Sequence, residues 1–184
     1  MLATMPQVSA EIWVPVSPET AFAVSQTTGA TRKRWDTFIS EQHFLDGAVA
    51  PGKGVRTYTK ARTGPSMVSE YVSHRPPTSV GMTMVEGPWF FARFGGGWRF
   101  MPADHAADQA ADDTADQAAD DADDDGAGAG TRTVWKYTYS IRPAWLRRPG
   151  EWLGQIILGR EIRARLEAFA AACRDEEILR GLPR

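Results

Sequence analysis

The sequence of 184 residues has one cysteine, Cys173, and therefore cannot form a disulfide within the chain. So little cysteine is typical of proteins of the reducing cytoplasm, and we expect a cytoplasmic location. No apolar run approaches the roughly 18 residues that a membrane-spanning helix needs. The first residues lack both the basic and the apolar region of a secretory signal, so we expect none. These absences argue against disulfide-rich secreted proteins and against proteins with transmembrane segments.

Motifs for metal, phosphate and nucleophile chemistry are also missing. The histidines form no cluster with the spacing of metal ligands, and the sequence contains no nucleophile elbow. The glycines of FGGGW, residues 94–98, have neither the spacing nor the following helix of a phosphate-binding loop. We therefore predict no metal site and no cofactor.

Lysine and arginine are absent from residues 103–130, which contain ten aspartates. Within this segment the octad ADQAADDT is followed at once by ADQAADDA. When the ten aspartates are set aside from the 23 acidic residues, 13 remain against 21 basic ones, a net charge of +8. The formal net charge of -2 therefore averages a basic body and a strongly acidic segment.

Residues 121–126 of the acidic segment read DADDDG and match the first half of a calcium-binding EF-hand loop. The twelfth position of such a loop needs a bidentate carboxylate, but Arg132 stands there and would repel the ion. Repulsion between like charges and the near absence of aromatic and β-branched residues instead predict a disordered acidic insert over 103–130. We expect this insert to interrupt a single domain that spans residues 1–184.

The hydrophobic pattern predicts the order strand, two short helices, six strands and one long helix. Residues 7–14 alternate as in a half-buried strand, residues 131–141 do so most clearly, and Ser17 followed by Pro18 predicts a helix start. A long helix is predicted from about residue 151 to 180. Its apolar stripe comprises Trp152, Ile156, Ile162, Leu166, Phe169, Ala170 and Cys173. Strands grouped apart from a long helix predict an α+β fold, with an antiparallel sheet packed on one side by that helix.

Several segments occur in an order that is informative as a set. They are VPVSPETAFAV, RWDTFI, APGKGVRTY, YVSHRPPTSV, GGGWRFMP and GTRTVWKYTYSIRP, followed by the amphipathic C-terminal helix. This set resembles the START-type, or SRPBCC, superfamily, whose members are often described as polyketide cyclase/dehydrase and lipid transport proteins. The resemblance spans nearly all of residues 8–180 except the insert. It implies a helix-grip fold, in which a curved antiparallel sheet of about seven strands wraps around the long helix.

The resemblance also implies an apolar cavity between the sheet and the C-terminal helix. A lining of aromatic residues and methionines favours a pocket, although an aromatic stripe on a strand that faces a helix is also typical of a solid core. Combined with the periodicity, the resemblance gives the candidate ligand-binding residues Trp35, Met82, Met84, Phe94, Trp98, Phe100, Trp135, Tyr137, Tyr139, Ile162 and Leu166.

Enzymes of this superfamily, such as aromatase/cyclases, use a few polar residues inside the cavity to enolise a poly-ketone chain. The weak candidates for such a role are Glu70 and His74, which share one face of the predicted strand 66–74. Met67 and Tyr71 occupy the other face, so the sequence does not decide which face points inward. Four residues in a strand separate Glu70 from His74 by about 13 Å, too far for a direct hydrogen bond.

We predict that the protein binds a hydrophobic small molecule or lipid in this cavity, as a carrier or sensor. The alternative is a cyclase or dehydrase that acts on a polyketide-like substrate with polar groups of the same cavity. A third possibility is an interaction module with a basic surface, built from residues 32–34, 147–148 and 160–165. These positive charges are scattered, so we interpret them as solvated faces and expect no specific nucleic acid partner. The sequence leaves the oligomeric state open.

Overall fold

The computed structural model describes residues 5–104 and 129–182, which form a curved sheet with helices packed against it. The strands are β1 (Gln7–Val14), β2 (Ile39–Phe44), β3 (Arg56–Ala61), β4 (Ser66–Arg75), β5 (Ser79–Glu86), β6 (Phe91–Asp104) and β7 (Ala129–Ile141). The helices are α1 (Pro18–Ser25), α2 (Gly29–Trp35), α3 (Arg147–Ala172) and α4 (Glu176–Arg180), and a 3-10 turn (Ala144–Leu146) leads into α3.

The seven strands lie in the order β1-β7-β6-β5-β4-β3-β2, and neighbouring strands are antiparallel. The first strand pairs with the last, so that Val14 lies opposite Thr131, and β2 forms the other edge. The sheet curls around α3, which packs against β1 and β7. The predicted α+β helix-grip fold is confirmed.

The two short helices connect β1 to β2. The first begins as predicted, because the Ser17 hydroxyl accepts a hydrogen bond from the backbone N–H of Thr20 and Pro18 occupies the first turn. The second ends at Trp35, and the carboxylate of the next residue, Asp36, accepts a hydrogen bond from the backbone N–H of Phe38. Asp36 is thereby fixed at the junction between α2 and β2.

The C-terminal helical region differs from its prediction. The prediction was one helix over residues 151–180. In the structure, α3 starts four residues earlier, at Arg147, and ends at Ala172, and a separate helix, α4, follows it. The break has a local cause in Asp175, whose carboxylate accepts hydrogen bonds from the first backbone N–H groups of α4. An aspartate in this position favours the start of a new helix over the continuation of the old one.

The predicted apolar stripe of this helix is buried in its C-terminal part only. Ile162, Leu166 and Phe169 are at most 2% exposed, whereas Trp152 is 67% and Ile156 42% exposed. The stripe prediction is therefore wrong for the first half of α3, where apolar residues face solvent. The reason is that in this half of α3 the glycines Gly150 and Gly154 face Ile141 and Tyr139 of β7, so Trp152 and Ile156 point away from the sheet.

The strands β6 and β7 are paired up to Asp104 and Ala129, so the ends of the predicted insert belong to the sheet. The remainder of the insert, residues 105–128, lies outside the described residues, and its predicted disorder stays a prediction. Close to these strand ends, the Trp13 indole donates a hydrogen bond to the carbonyl of Ala103, and the Thr131 hydroxyl donates to that of Val16. The acidic segment therefore leaves the sheet beside the end of β1.

Candidate functional site

A cavity of about 630 Å³ lies between the sheet and α3. Most of its wall is apolar or aromatic, and it includes Phe38, Ile39, Met67, Val80, Met82, Met84, Phe91, Phe94, Trp98, Trp135 and Leu158. Trp89, Leu153 and Ile157 also belong to the wall, yet each is about half exposed or more. The cavity therefore reaches the surface between the β5–β6 loop and the first half of α3.

The structure divides the predicted cavity residues into two groups. The first group lies on the cavity wall and consists of Met82, Met84, Phe94, Trp98, Trp135 and Tyr137. The second group is packed in the core beside the cavity and consists of Trp35, Phe100, Tyr139, Ile162 and Leu166. Residues of the second group have partners of their own: Phe100 packs edge-on against Phe22, and the Tyr139 hydroxyl donates to the carbonyl of Glu151. Ligand binding by either group stays a prediction.

Aromatic rings run without interruption from the mouth of the cavity to its inner end. Starting at the exposed Trp89, neighbouring ring centres lie 3.9 to 6.0 Å apart. The rings in order are those of Trp89, Phe90, Phe91, Phe94, Tyr137, Trp135 and Trp98. Such a run offers continuous apolar and π surface along which an elongated apolar molecule can lie.

A buried carboxylate stands at the inner end, where Asp36 forms two ion pairs. Its Oδ2 accepts hydrogen bonds from Nε of Arg32 at 2.9 Å and from a terminal nitrogen of Arg165 at 2.7 Å. Burial alone would raise the pKa of Asp36, but Arg165 and Arg32 together hold that pKa below its usual value. The carboxylate therefore stays ionised and neutralises one of the two buried cations.

Arg165 joins this buried ion pair to the cavity wall. A terminal nitrogen of its guanidinium donates to the hydroxyl of Tyr137 at 2.8 Å and to a carboxylate oxygen of Glu161 at 3.3 Å. The guanidinium also lies over the rings of Trp135 and Phe38, at 4.4 and 4.7 Å from their centres. Because Arg165, Tyr137 and Glu161 all line the cavity, they place charged and hydrogen-bonding groups at one end of a mainly apolar space.

The two acidic groups that bind Arg165 on the cavity wall, Tyr137 and Glu161, both have raised pKa values. Burial raises the pKa of Tyr137 well above its usual value, so its hydroxyl keeps its proton. That oxygen already accepts from Arg165, and its proton can be donated to an oxygen of a ligand. Burial also raises the pKa of Glu161, against the opposing effect of Arg165. A raised pKa makes the ionised form of this carboxyl group a stronger base than an ordinary glutamate.

Four residues of this polar end were not among the predicted site residues: Arg32, Asp36, Glu161 and Arg165. The prediction that both arginines lie on solvated basic faces is wrong, since Arg32 is 5% and Arg165 7% exposed. One signal for Arg165 was available, because it follows Ile162 by three positions and so falls on the buried stripe of the helix. Asp36 carried no such signal, because the chain is irregular where it occurs.

A family model described as "Polyketide cyclase / dehydrase and lipid transport" matches residues 5–174. The chain belongs to this family. No curated protein matches its sequence significantly. Among solved structures, a START superfamily protein from Mycobacterium smegmatis is 12% identical, with a TM-score of 0.66 over 94% of this chain and 99% of that one. A protein from Thermus thermophilus is 18% identical, with a TM-score of 0.63 over 95% and 98% of the two chains.

A further similar structure is the di-domain ARO/CYC StfQ from the steffimycin biosynthetic pathway. It is 11% identical, with a TM-score of 0.64 over 95% of this chain and 52% of that one. At such low identities these similarities show the shared fold. The predicted membership of the START/SRPBCC superfamily is confirmed.

In this polyketide cyclase/dehydrase family member, neither Glu70 nor His74 lies on the cavity wall. Tyr71 lies on the wall, and Glu70 beside it belongs to the other face of β4. The register of β4 shifts after Tyr71, which brings His74 back to the inner side, against the rings of Phe22 and Tyr71. Burial there lowers the pKa of His74. The catalytic roles suggested for Glu70 and His74 gain no support from this placement.

The described ranges 5–104 and 129–182 contain no group of three or more histidine, cysteine, aspartate or glutamate side chains that could hold a metal ion. In the same part of the chain, no helix is long and apolar enough to cross a membrane.

Proposed function

We propose that the protein binds a hydrophobic small molecule or lipid in the cavity under α3, as a carrier or sensor. The observation that carries this proposal is the cavity, with a volume of about 630 Å³, a mainly apolar wall and access to the surface. Pockets for small ligands have volumes of roughly 300–1,000 Å³ and are lined in the same manner. The family description, which includes lipid transport, supports the same class of ligand.

The polar end of the cavity narrows the class of ligand to amphiphiles. We infer that a carbonyl, hydroxyl or carboxylate oxygen of the ligand accepts the Tyr137 proton next to the Arg165 guanidinium, while the apolar body follows the aromatic rings towards Trp89. A purely apolar ligand would leave the hydroxyl proton of Tyr137 without an acceptor in a dry cavity, which is unfavourable.

Native mass spectrometry of the purified protein tests the proposal directly, because a bound lipophile adds its mass to the chain. Saturable binding of the apolar fluorophore N-phenyl-1-naphthylamine gives a second readout. Ser69 lies on the cavity wall, so Ser69→Trp should fill part of the space and weaken binding of the fluorophore about tenfold or more. The matched control is Glu70→Trp, which adds the same side chain to the other face of β4 and should leave binding unchanged.

Two results would overturn the binding proposal. One is a wild-type protein that neither carries a ligand nor binds the fluorophore in a saturable manner. The other is a Ser69→Trp variant that stays folded and binds as tightly as the wild-type protein, because the fluorophore would then occupy another place.

A cyclase- or dehydrase-type enzyme is the second candidate, and Glu161 is the observation that favours it. Its carboxylate, on the cavity wall, could take a proton from the carbon between two ketones of a poly-ketone chain. The electron pair of the broken C–H bond would move onto a carbonyl oxygen, which Tyr137 and Arg165 could stabilise by hydrogen bonds. The description of StfQ as an ARO/CYC protein of a biosynthetic pathway is consistent with this chemistry on the same fold.

Deuterium exchange at the central carbon of an aryl 1,3-diketone, followed by NMR, tests this second candidate. An enzyme should accelerate the exchange, and Glu161→Gln should abolish the acceleration. Glu167→Gln is the control, because Glu167 is an exposed glutamate of the same helix. Exchange at the buffer rate with wild-type protein would exclude this proton transfer.

A further inference from the structure

The first half of α3 presents apolar side chains to solvent. Trp152, Leu153, Ile156 and Ile157 are 67%, 49%, 42% and 53% exposed. Residues with these spacings lie on one side of a helix and form a continuous stripe. Trp145, in the 3-10 turn that precedes α3, is 78% exposed and extends it. We call these five residues the apolar rim.

The apolar rim borders the mouth of the cavity. Leu153 and Ile157 belong to the rim and to the cavity wall at the same time. Across the mouth, Trp89 in the β5–β6 loop is 69% exposed. The Arg142 side chain donates a hydrogen bond to the carbonyl of Trp89, so this loop is fixed to the segment that leads into α3. Contiguous exposed apolar surface of this kind marks an interaction site.

Arginines flank the apolar rim at both ends. Arg148, Trp152, Ile156 and Arg160 follow one another at steps of four, so they form one row along the helix with a guanidinium at each end. Both arginines are exposed. An apolar centre with basic ends is typical of helices that lie on anionic membrane surfaces.

The local charge balance is positive. Residues 142–163 contain five arginines and two glutamates, with no lysine or aspartate. Of the two glutamates, Glu161 is paired with Arg165 at the cavity wall and Glu151 is only partly exposed. Glu86, at the end of β5, is the nearest acidic residue in sequence to the Trp89 loop. The surface around the mouth therefore complements a negatively charged partner.

We propose that the apolar rim docks onto the surface of an anionic lipid bilayer. The indole rings and the aliphatic side chains would enter the interfacial region, where tryptophan is favoured, and the arginines would contact lipid phosphates. The cavity mouth then faces the bilayer, and a hydrophobic ligand passes between membrane and cavity without crossing water. The transfer of a ligand between membrane and cavity rests on the proposed binding function, whereas the docking itself does not.

A second copy of the chain is a poorer occupant of the rim. In a symmetric dimer the same surface faces itself, so helices paired antiparallel across the rim would bring Arg148 of one copy towards Arg160 of the other. Like charges would then oppose each other next to the apolar contact. An anionic bilayer neutralises both arginines instead.

Co-sedimentation with vesicles of mixed phosphatidylglycerol and phosphatidylcholine, and with vesicles of phosphatidylcholine alone, tests the docking. We expect binding to the mixed vesicles that weakens as salt increases. Trp152→Ser should weaken it roughly tenfold, because a large apolar side chain no longer enters the interface. Arg148→Gln should weaken it roughly fivefold and reduce its salt dependence.

The matched controls remove an exposed valine or arginine at the other end of the sheet. Val49→Ser and Arg75→Gln change residues in the β2–β3 loop and at the end of β4, and both should bind vesicles like the wild-type protein. Equal losses in these controls would overturn the proposal, because binding would not depend on the rim. No binding of the wild-type protein to the mixed vesicles would overturn it as well.

Light scattering separates membrane docking from self-association. We expect a monomer whose mass does not change with Trp152→Ser, whereas a dimer that dissociates in this variant would assign the rim to a second copy and overturn the proposal. The Ser69→Trp variant separates docking from ligand binding: it should lose the fluorophore and keep the vesicles. If the protein binds no ligand in the cavity, the vesicle experiment still tests the docking of the apolar rim independently.

Discussion

Asp36 and Arg165 are 129 positions apart in the sequence, and Oδ2 of the aspartate lies 2.7 Å from a terminal nitrogen of the arginine. Asp36 follows α2, and Arg165 lies in the C-terminal half of α3, so this contact ties the N-terminal helices to the helix that the sheet encloses. The same carboxylate oxygen accepts from Arg32. One buried charge therefore fixes the inner end of the cavity.

Replacing Asp36 by Asn should lower the free energy of unfolding by about 3–5 kcal/mol, because the buried Arg32 loses its carboxylate partner and the buried Arg165 keeps only its longer contact with Glu161. Urea denaturation followed by circular dichroism measures this change. Asp46→Asn is the control, because Asp46 forms an equally short ion pair with Arg56, but on the surface. Solvent screens that pair, and its loss should change stability little. Equal effects of the two substitutions would show that burial does not set the strength of the Asp36 contacts.

The carboxylate of Asp36 should also affect how the stability of the protein depends on pH. The pKa of Asp36 is lower in the folded protein than in the unfolded chain, so its contribution is complete above about pH 4 and is lost as the pH falls through the folded value. Glu161 has the opposite sign: its pKa is raised on folding, and its contribution is present at low pH and lost as the pH rises through the folded value.

Thermal unfolding across the acidic pH range distinguishes the contributions of Asp36 and Glu161. The proteins compared are the wild type, Asp36→Asn and Glu161→Gln. Asp36→Asn should flatten the fall in melting temperature at low pH. Glu161→Gln should leave that fall in place and change the profile only above about pH 4.3, the ordinary pKa of a glutamate. If the melting temperature of Asp36→Asn falls at low pH as steeply as that of the wild-type protein, other carboxylates cause the fall.

The fold could be predicted because strands and helices follow regular patterns in the sequence. The polar end of the cavity could not be predicted, since its residues do not belong to any such pattern. Alternation in β7 and the capping sequence at Ser17 specify their elements over several residues each. Asp36 and Arg165 form their ion pair only when α2 and α3 pack together in the fold. No residue spacing along the chain indicates this contact. The same limit applies to Trp152, whose helical spacing fits an apolar stripe although the sheet does not reach it.

Two glycines of α3 should respond in opposite ways to replacement by alanine. A Cβ atom at Gly154 would lie 2.8 Å from a ring carbon of Tyr139 and 2.9 Å from its hydroxyl, and this ring is fully buried with its hydroxyl bonded to Glu151. Gly154→Ala should therefore destabilise the protein by about 1–3 kcal/mol. A Cβ atom at Gly159 would have its nearest neighbours at 3.7 Å, which is ordinary contact.

Gly159→Ala should accordingly stabilise the protein by up to about 1 kcal/mol, because alanine favours the helix more than glycine does. Paired urea denaturation curves compare the two variants in one helix. If both variants are stabilised, Tyr139 moves aside at little cost, and the close packing of α3 on β7 does not require a glycine at position 154.

Deleting residues 106–127 should separate the acidic segment from the fold. The deletion removes nine aspartates and no basic residue, so the formal net charge changes from -2 to +7. Because β6 and β7 are already paired at Asp104 and Ala129, we expect the melting temperature to stay within a few degrees of the wild-type value. At an ionic strength of about 0.01 M, where charges act over roughly 30 Å, affinity for anionic vesicles should rise, since the long-range repulsion by these carboxylates is gone.

A full-length variant with the nine aspartates changed to asparagine separates the effect of charge from that of length. It should bind anionic vesicles as tightly as the deletion variant, and added salt should bring both closer to the wild-type protein, because screening weakens the repulsion that the wild-type protein feels. A melting temperature lowered by many degrees in the deletion variant alone would show that the segment stabilises the sheet. Unchanged vesicle affinity in both variants would show that its charge does not act on the apolar rim.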